Sequence, residues 1–315
     1  MGLTTTPGRQ DIPGPMTDSI PDAITIRPIT GLEGCRHFQA LARLVWGSDP
    51  VDLVPNHIAV TVVKNGGLLL GAYAPDGPAS TGGMVGAAFG WLGVGVDPAT
   101  PDAGPRLKFC SHMTGVLPEW QGRRVGLRLK LAQRQEVLNQ GLTDWITWTY
   151  DPLYRPNAVF NLHRLGATCC TYMRDLYGEL QDQLNAGVPS DRCQVDWRLN
   201  SPYALHDLQS VRQFQPWERD ALMILPSATN AAGFLTPGPP DLVADGRPLA
   251  VPIPEDIAAI RRADPALSMA WRLYLRAALE EAFAAGYTLI DCIHLPGHGW
   301  HYILVCERLY RRLPD

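Results

Sequence analysis

The sequence predicts an α/β (α+β) fold with a mixed, mostly antiparallel central sheet flanked by helices. Short segments rich in β-branched and aromatic residues recur between residues 24 and 199. Segments with apolar residues at helical spacing lie between some of them, and turn residues join the others directly. The order is strand, helix, several antiparallel strands, helix, strand, helix and strands, which is typical of one central sheet with helices on its faces.

The N-terminal elements follow from their residue patterns. Residues 24–29 alternate apolar and polar side chains, as a half-buried strand does, and residues 32–46 have apolar side chains at helical spacing. Residues 57–64 and 68–74 are rich in strand-forming residues, with AsnGlyGly between them. This pattern predicts two strands joined by a hairpin turn.

The middle of the chain contains the most regular patterns. Residues 125–139 form a predicted helix that ends at Gly141, and residues 157–165 form a shorter one that ends at Gly166, because glycine commonly follows the last helical residue. Apolar and β-branched segments predict further strands at residues 84–94, 108–117, 144–150, 168–174 and 193–199.

The C-terminal part begins irregularly and then becomes strongly patterned. Residues 200–254 are rich in proline and turn residues, and one short and one long helix follow. The long helix ends at Gly286, and five large or apolar residues share one of its faces: Trp271, Tyr274, Leu275, Ala278 and Leu279. Two strands joined by ProGlyHisGlyTrp are predicted near the C-terminus.

Composition excludes several classes of function. Hydrophobic residues make up 46% and charged residues 18% of the 315 residues, an ordinary globular composition. The formal net charge of -4 gives no reason to expect a nucleic-acid partner. No apolar stretch approaches the roughly 20 residues that span a bilayer, and the N-terminus lacks the apolar segment of a signal peptide. The seven scattered cysteines are typical of reduced thiols, so we expect a cytoplasmic protein.

Residues 118–134, PEWQGRRVGLRLKLAQR, place glycines and arginines at the start of a predicted helix. A helix N-terminus has unpaired amide N–H groups and the positive end of the helix dipole, and glycines let an anion approach the backbone. Arginine side chains add charge-assisted hydrogen bonds to phosphate oxygens. The segment therefore predicts an anion site. The alternative is an ordinary strand-to-helix turn with solvated arginines.

The same segment resembles the motif of the GCN5-related N-acetyltransferase (GNAT) superfamily, Gln/Arg-x-x-Gly-x-Gly/Ala. The motif falls on Gln121, Arg124, Val125 and Gly126, with Arg124 at the position of the first glycine. The resemblance implies that this loop binds the pyrophosphate of coenzyme A. The Arg124 N–H would replace that of glycine only if the position does not require a positive φ.

The resemblance covers about residues 24–199. ProGluTrpGlnGly is similar to the segment before the family motif, DWITWTYDP to the fifth strand and NAVFNLHRLGA to the helix after it. The stretch from KFCSHMTGV to SDRCQVDW, residues 108–197, is most similar to a subgroup of longer predicted acetyltransferases. That subgroup has a C-terminal extension with segments of the IPEDI and WRLYLR type. We therefore expect a flexible tail over residues 1–22 and a GNAT-like acyl-CoA-binding domain over 23–199. An α+β extension over 200–315 would pack on that domain or form a dimer face.

The family implies a splayed gap between the fourth and fifth strands, with the pantetheine arm of coenzyme A along the fourth. Its backbone partners would be Gly115, Val116 and Leu117, and Asn157 or Asn161 would hydrogen-bond the arm. For either asparagine the alternative is a helix cap or a core hydrogen bond. The residues expected around the phosphates are Gln121, Gly122, Arg123, Arg124, Val125, Gly126 and Leu127.

Acyl transfer from a thioester to an amine requires a deprotonated amine, polarisation of the carbonyl and a proton for the leaving thiolate. The backbone N–H near Val116 is the candidate for polarising the carbonyl. His112 is the candidate base, because it lies in the strand that lines the expected gap and can titrate near neutral pH. Its alternative is a hydrogen-bonded core histidine. Glu119 is a second candidate, with positioning of the loop as its alternative role.

The proton donor departs from the family pattern. Many family members use a tyrosine on the helix after the fifth strand, and that position is Leu162 here. Tyr154, Tyr172 or a water molecule are the alternatives, or the thiolate leaves unaided. Cys110 is interpreted as a buried strand residue, because direct transfer is the family norm.

Three histidines near the C-terminus, His294, His298 and His301, are dense enough to suggest zinc. Proline and glycine between them exclude a helix that would bring them together, and no acidic or cysteine ligand has a familiar spacing. We therefore expect no metal and interpret the segment as a polar hairpin turn. Trp145 and Trp148 are candidates for pocket walls or for core packing.

These observations predict an acyl-CoA-dependent N-acyltransferase that acts on the amine of a small molecule, such as an amino acid or a metabolite. The cosubstrate would be acetyl-CoA or another short acyl-CoA, with succinyl among the groups that the subgroup suggests. A homodimer is a candidate assembly, and no nucleic-acid or membrane partner is expected. The alternatives are a catalytically inactive module that binds coenzyme A, or a coenzyme A-dependent enzyme with other chemistry, such as decarboxylation or ester formation.

Overall fold

The structure is a computed structural model that describes residues 24–47, 53–178, 188–201, 204 and 222–306. The tail expected over residues 1–22 lies outside the described residues. Within them, strands dominate and helices pack on the faces of one large sheet.

The described residues form thirteen strands, four of which lie between residues 223 and 252, where the sequence analysis named none. Their bounds are Thr25–Pro28 (β1), Leu68–Tyr73 (β2), Met84–Val96 (β3), Pro105–Val116 (β4), Trp145–Tyr150 (β5), Thr168–Met173 (β6), Arg192–Arg198 (β7), Met223–Ile224 (β8), Ser227–Thr229 (β9), Leu235–Pro237 (β10), Leu249–Pro252 (β11), Tyr287–Leu295 (β12) and Gly299–Cys306 (β13). The helices are Gly31–Trp46 (α1), Asn56–Lys64 (α2), Val125–Gln140 (α3), Arg155–Ala158 (α4), Ile257–Ala263 (α5) and Pro265–Ala284 (α6). A π-helical turn, Val159–Arg164, continues α4.

Eleven strands form one sheet in the order β1-β2-β3-β4-β5-β7-β6-β12-β13-β11-β8. All neighbouring pairs are antiparallel except β4 with β5 and β11 with β8, which are parallel. The predicted fold class, a mixed and mostly antiparallel sheet flanked by helices, is therefore confirmed.

One predicted strand is wrong. Residues 57–64 belong to helix α2, although they include β-branched residues. Ala59 is buried, and Val62 and Val63 follow it at helical spacing and pack against the core beneath α1. The intrinsic cost of valine in a helix is under about 1 kcal/mol, which such packing offsets. The AsnGlyGly segment, expected as a hairpin turn, ends this helix, with Gly66 at φ 87°.

The C-terminal strands continue the sheet of the N-terminal part. Strand β12 joins β6 through the pair Leu289 and Cys169, beside irregularities in both strands. The largest core cluster contains Phe109 and Ile146 from the first part together with Trp271 and other residues of the second. The predicted face of α6 is buried, as expected from its pattern. The domain boundary after residue 199 stays a prediction.

Candidate functional site

Strands β4 and β5 separate soon after they meet. They pair only at Phe109 with Ile146 and at Cys110 with Thr147. Beyond these pairs, residues 111–116 of β4 pair only with β3, and residues 148–150 of β5 pair only with β7. The space between residues 111–116 and 148–150 is called the β4–β5 gap below. Its closed end lies at Cys110 and Thr147, and its open end lies at Val116.

The backbone direction along β4 decides which groups face this gap. The Leu117 N–H donates to the Val85 carbonyl at 3.0 Å, so Leu117 faces β3. Hydrogen-bonded and non-hydrogen-bonded pairs alternate along an antiparallel ladder, and therefore Val116 and Thr114 direct their N–H groups into the gap. Gly115 likewise faces β3, so Val116 is the one of the three predicted backbone partners that faces the gap. Contact of these residues with a ligand stays a prediction.

The start of α3 lies just beyond the open end of the gap. Gln121, Gly122, Arg123 and Arg124 are exposed, whereas Val125 is buried and holds the first turn against the core. The first helical hydrogen bond runs from Arg128 N–H to the Arg124 carbonyl. Within the described residues, the N–H groups of residues 125–127 therefore have no acceptor, as a helix start requires.

The loop before α3 contains two residues with positive φ. Gly122 has φ 74°, and Arg124, the residue before the helix, has φ 59° and ψ 12°. The sequence analysis expected the Arg124 N–H to replace that of the motif glycine only if the position does not require a positive φ. The structure does not meet that condition. A left-handed conformation costs a residue with a side chain about 1–2 kcal/mol, and Arg124 carries this cost where the family motif has glycine.

Two side chains of the loop have defined positions. The Arg123 guanidinium lies 4.6 Å from the ring centroid of Trp120, which is itself buried. Gln121 Nε2 donates to the Val116 carbonyl at 3.1 Å and so connects the loop to the end of β4. A Cβ atom at Gly126 would lie 3.8 Å from Val116 and 3.9 Å from Phe160, so this residue faces the open end of the gap.

His112 occupies an irregularity in β4. The register with β3 passes from Met113 to Ser111, so His112 is the extra residue of a bulge. His112 is exposed to solvent, but its ring packs beside two aromatic rings of β3. Its ring centroid is 5.0 Å from that of Trp91 and 6.3 Å from that of Phe89. Partial loss of solvation lowers the pKa of His112 below 6.5, which favours the neutral form that a base requires.

Among the described residues, no hydrogen bond, ion pair or ring contact joins the other catalytic candidates to His112. Glu119 is exposed in the turn Pro118–Trp120, and Tyr154 is 45% exposed before α4. Tyr172 lies on β6, and β7 separates that strand from the gap. Its hydroxyl donates to Asp191 Oδ2 at 2.7 Å. Leu162 lies in the core, where it replaces the family tyrosine. The candidate donors near the gap are therefore Tyr154 and water.

The two asparagines differ in environment. Asn157 is exposed within α4 and does not cap it, because the residue before the helix is Tyr154. Asn161 is buried, and its Oδ1 accepts a hydrogen bond from Trp148 Nε1 at 3.2 Å. Trp148 and Asn161 therefore form one wall of the gap, whereas Trp145 is buried and donates to Asp196.

Lys130 was not among the predicted site residues. It lies on α3, is 3% exposed and directs its ammonium group toward Ser111 of β4 and Trp148 of β5. Burial lowers its pKa from 10.5 to about 7. The sequence contained a signal for this position, because Lys130 shares the helical spacing of the buried residues Gln133 and Val137.

Other features of the described residues limit the choice of site. His294, His298 and His301 lie on the hairpin of β12 and β13, where His298 and His301 are 6.4 Å apart between ring centroids. No group of three or more potential metal-binding side chains occurs in the described ranges. None of the helices that the structure describes is long and apolar enough to cross a bilayer.

The strands from β1 to β7 have the order β1-β2-β3-β4-β5-β7-β6, with only β4 and β5 parallel and the gap between them. This topology, with a motif helix directly after β4, is the one that the resemblance implies. The N-terminal part of the chain therefore has a GNAT-like sheet topology. No protein-family model matches the sequence, and no curated protein matches it.

Several solved structures are similar to part of the chain. Arabidopsis thaliana NAA60 in complex with acetyl-CoA is 14% identical, with coverage of 56% of this chain and 99% of that chain and a TM-score of 0.44. The ribosomal-protein-S18-alanine N-acetyltransferase from Escherichia coli is 12% identical over 56% and 95%, with a TM-score of 0.41. YncA from Salmonella typhimurium with its cofactor acetyl-CoA is 15% identical over 57% and 96%, with a TM-score of 0.39. At these identities and TM-scores, none of the matches assigns a substrate or a residue role.

Proposed function

We propose that this chain is an acyl-CoA-dependent N-acyltransferase that transfers an acetyl or another short acyl group to the amine of a small molecule. The observation that carries the proposal is the β4–β5 gap, which is closed at Cys110 and Thr147 and opens toward the N-terminus of α3. A gap with anion-binding amides at its mouth fits a long ligand with a diphosphate at one end and a thioester at the other.

The mouth of the gap supplies the phosphate contacts. The N–H groups of residues 125–127 point out of the first turn of α3, where the helix dipole favours a negative charge. Arg123 and Arg124 are exposed beside them and add positive charge. A diphosphate therefore meets backbone donors and guanidinium groups together, and Gly122 and Gly126 keep side chains away from it.

The gap itself orients the remainder of the ligand. An arm that enters from α3 runs along β4 toward the closed end and meets the Val116 N–H first and the Thr114 N–H next. Val116 is then placed to pair with the pantetheine arm. The Thr114 N–H is placed to polarise the thioester carbonyl, deeper in the gap and near His112.

The chemistry requires few protein groups. A neutral amine attacks the thioester carbonyl carbon, a C–N bond forms, the C–S bond breaks, and the thiolate leaves. His112, whose lowered pKa keeps it neutral near pH 7, is placed to accept the proton that the amine loses. The thiolate takes a proton from Tyr154 or water. A small acceptor amine and a homodimer formed through residues 200–315 are further parts of this proposal.

The experiment is a thiol-release assay with acetyl-CoA, succinyl-CoA and a panel of amino acids, other primary amines and a peptide with a free N-terminus. Acceptor-dependent release of free thiol is expected for at least one small amine. Release only with the peptide would contradict the small-molecule acceptor. Failure of coenzyme A to raise the unfolding temperature would contradict the proposed site.

Leu162 supports a second candidate, a coenzyme A-binding module without catalysis. Its side chain is buried in the core and cannot donate a proton where many family members have tyrosine. Thermal stabilisation by coenzyme A without thiol release on any acceptor would favour this candidate over the enzyme.

A further inference from the structure

A buried lysine lies at the closed end of the β4–β5 gap. The Lys130 Nζ is 2.7 Å from Ser111 Oγ, 3.3 Å from Gln133 Oε1 and 3.7 Å from the ring centroid of Trp148. Ser111 follows Cys110 on β4, and Trp148 follows Thr147 on β5, so both are the first residues beyond the last paired position. The ammonium group therefore lies where the two strands begin to separate.

The polar cluster of Lys130, Ser111 and Gln133 has more donors than acceptors. The Ser111 hydroxyl donates to Gln133 Oε1 at 2.9 Å, and the same oxygen accepts from Lys130, which fixes the orientation of the amide. Gln133 Nε2 is buried and has no hydrogen-bond partner in the part of the chain that the structure describes. No acidic side chain among the described residues forms an ion pair with Lys130.

Such an arrangement is costly without an anion. Transfer of an ammonium group from water to a protein interior costs several kcal/mol unless an opposite charge compensates it. An unpaired buried amide N–H adds about 1–3 kcal/mol. An oxyanion at this position would accept hydrogen bonds from both Lys130 and Gln133 Nε2.

The direction of the gap indicates which part of a ligand reaches the cluster. Thr114 lies opposite Ala88 of β3 and Ser111 lies opposite Gly90, so two residue steps, about 7 Å, separate them along the sheet. A thioester carbonyl at the Thr114 N–H would place its acyl chain along these steps. A short acyl chain with a terminal carboxylate spans that interval.

We propose that Lys130 and Gln133 bind the terminal carboxylate of the acyl group, so that the chain uses coenzyme A thioesters of short dicarboxylic acids. The inference rests on the proposed function, because the acyl chain reaches the cluster only if the arm enters from α3. The closed end would then select the acyl group by its carboxylate, a selection that acetyl transfer does not require.

The test compares succinyl-CoA with butyryl-CoA, which has a four-carbon acyl chain without the carboxylate. Affinities are measured by isothermal titration calorimetry without an acceptor, for the unmodified chain, for Lys130→Met and for Lys108→Met. Lys108 is the control, because its ammonium group also lies near a tryptophan ring, 5.4 Å from the centroid of Trp145. Unlike Lys130, it belongs to β4 and lies on the paired side of the gap. Free coenzyme A is titrated into each protein.

The unmodified chain and Lys108→Met are expected to bind succinyl-CoA at least about 10-fold more tightly than butyryl-CoA, which corresponds to about 1.4 kcal/mol. Lys130→Met is expected to lose this preference and to keep its affinity for free coenzyme A within about twofold. Equal affinities in the unmodified chain, or a preference that persists in Lys130→Met, would overturn the inference. Weak binding of free coenzyme A to the unmodified chain would instead refute the proposed function.

A second measurement uses only the unmodified chain and does not depend on the folding of a variant. Lys130 is faced by the Ser111 hydroxyl from β4, the Trp148 ring from β5 and the Gln133 amide from its own helix, none of which titrates near neutral pH. Burial holds the pKa of Lys130 at about 7, and a bound carboxylate would raise it. Titrations at pH 8 in buffers of different ionisation enthalpy should therefore show proton uptake with succinyl-CoA. Equal uptake with butyryl-CoA would contradict the inference.

Discussion

Arg272 and Asp151 form a paired contact between the C-terminal part of the chain and the end of β5. Arg272 Nη1 and Nη2 donate to the two carboxylate oxygens of Asp151 at 2.9 and 2.8 Å. The Arg272 side chain is 1% exposed and that of Asp151 is 15% exposed. Asp151 directly follows β5, so helix α6 fixes the segment that leaves one wall of the gap.

Replacement of Arg272 by methionine should lower the free energy of unfolding by up to about 3–5 kcal/mol, because it removes the two-point partner of a largely buried carboxylate. Asp151 would keep a hydrogen bond from the Leu153 N–H and the more distant Arg192 guanidinium at 4.0 Å. Urea denaturation measures this change. Arg174→Met is the matched control, since Arg174 forms the same kind of contact with Glu280 but is 62% exposed. That pair is exposed to solvent, so its loss should change the stability far less than the loss of Arg272. Similar losses in both variants would show that burial does not distinguish the pairs.

Arg124 should be less favourable than glycine at the start of α3. Both Arg124→Gly and Arg124→Ala remove the side chain and its contacts, but only glycine adopts φ 59° without a Cβ penalty. Arg124→Gly is therefore expected to be about 1 kcal/mol more stable than Arg124→Ala. Denaturant unfolding of the pair tests this, and equal stabilities would contradict the left-handed conformation.

The arginines at the mouth of the gap should contribute to coenzyme A affinity. Arg123→Ala and Arg124→Ala are each expected to weaken binding by about 10-fold, because a hydrogen bond to a charged group contributes about 1.5–3 kcal/mol. Calorimetry measures the dissociation constants. Arg262→Ala, which removes an exposed arginine on α5, should leave the affinity unchanged. If neither loop variant binds more weakly than Arg262→Ala, the phosphate assignment is wrong.

The sequence predicted local structure better than strand pairing. Most strands, the long face of α6 and the helix after Gly122 follow from periodicity, which each segment carries by itself. Residues 57–64 were assigned as strand because of their β-branched side chains, and packing beneath α1 overrides that preference. The position of a strand within the sheet depends on distant residues, so the residues at which β4 and β5 separate could not be located from local patterns.

The candidate site was predicted in part for the same reason. The loop from Gln121 to Gly126 has a local motif, and its exposure at the start of α3 fits that motif. Which amides of β4 face β3 depends on strand pairing, and the Leu117 N–H pairs with the Val85 carbonyl. Local sequence does not predict the position of Lys130 in the site, because that position depends on contacts with Ser111 of β4 and Trp148 of β5.

His112 should determine the acidic limb of the pH–rate profile. A base acts in its neutral form, and the pKa of His112 lies below 6.5 because its ring is partly desolvated. The value of kcat/KM should therefore fall as pH decreases through that pKa, and the limb should disappear in His112→Gln while coenzyme A affinity stays within about twofold. His57→Gln, at an exposed histidine of α2, should retain the limb. An unaltered profile in His112→Gln would exclude His112 as the base.

Lys130 should make the free energy of unfolding rise with pH above about pH 7. Its pKa is about 7 in the folded state and near 10.5 in the unfolded state. Between these values the unfolded chain binds a proton that the folded chain does not, so the free energy of unfolding rises with pH by up to about 1.4 kcal/mol per unit. Below about pH 7 both states are protonated, and this contribution becomes constant at its least favourable value.

Lys130→Met removes this titration, and the comparison with the unmodified chain isolates it. Between pH 7 and pH 9 the unmodified chain should gain about 2–3 kcal/mol relative to Lys130→Met, measured by urea denaturation at each pH. Val137→Ala, on the same buried face of α3, should lose a similar amount of stability at every pH because it removes no titratable group. A pH-independent difference between the unmodified chain and Lys130→Met would mean that the buried amine keeps its proton. The oxygens of Ser111 and Gln133 that accept from Lys130 would then stabilise the ammonium group without an external anion.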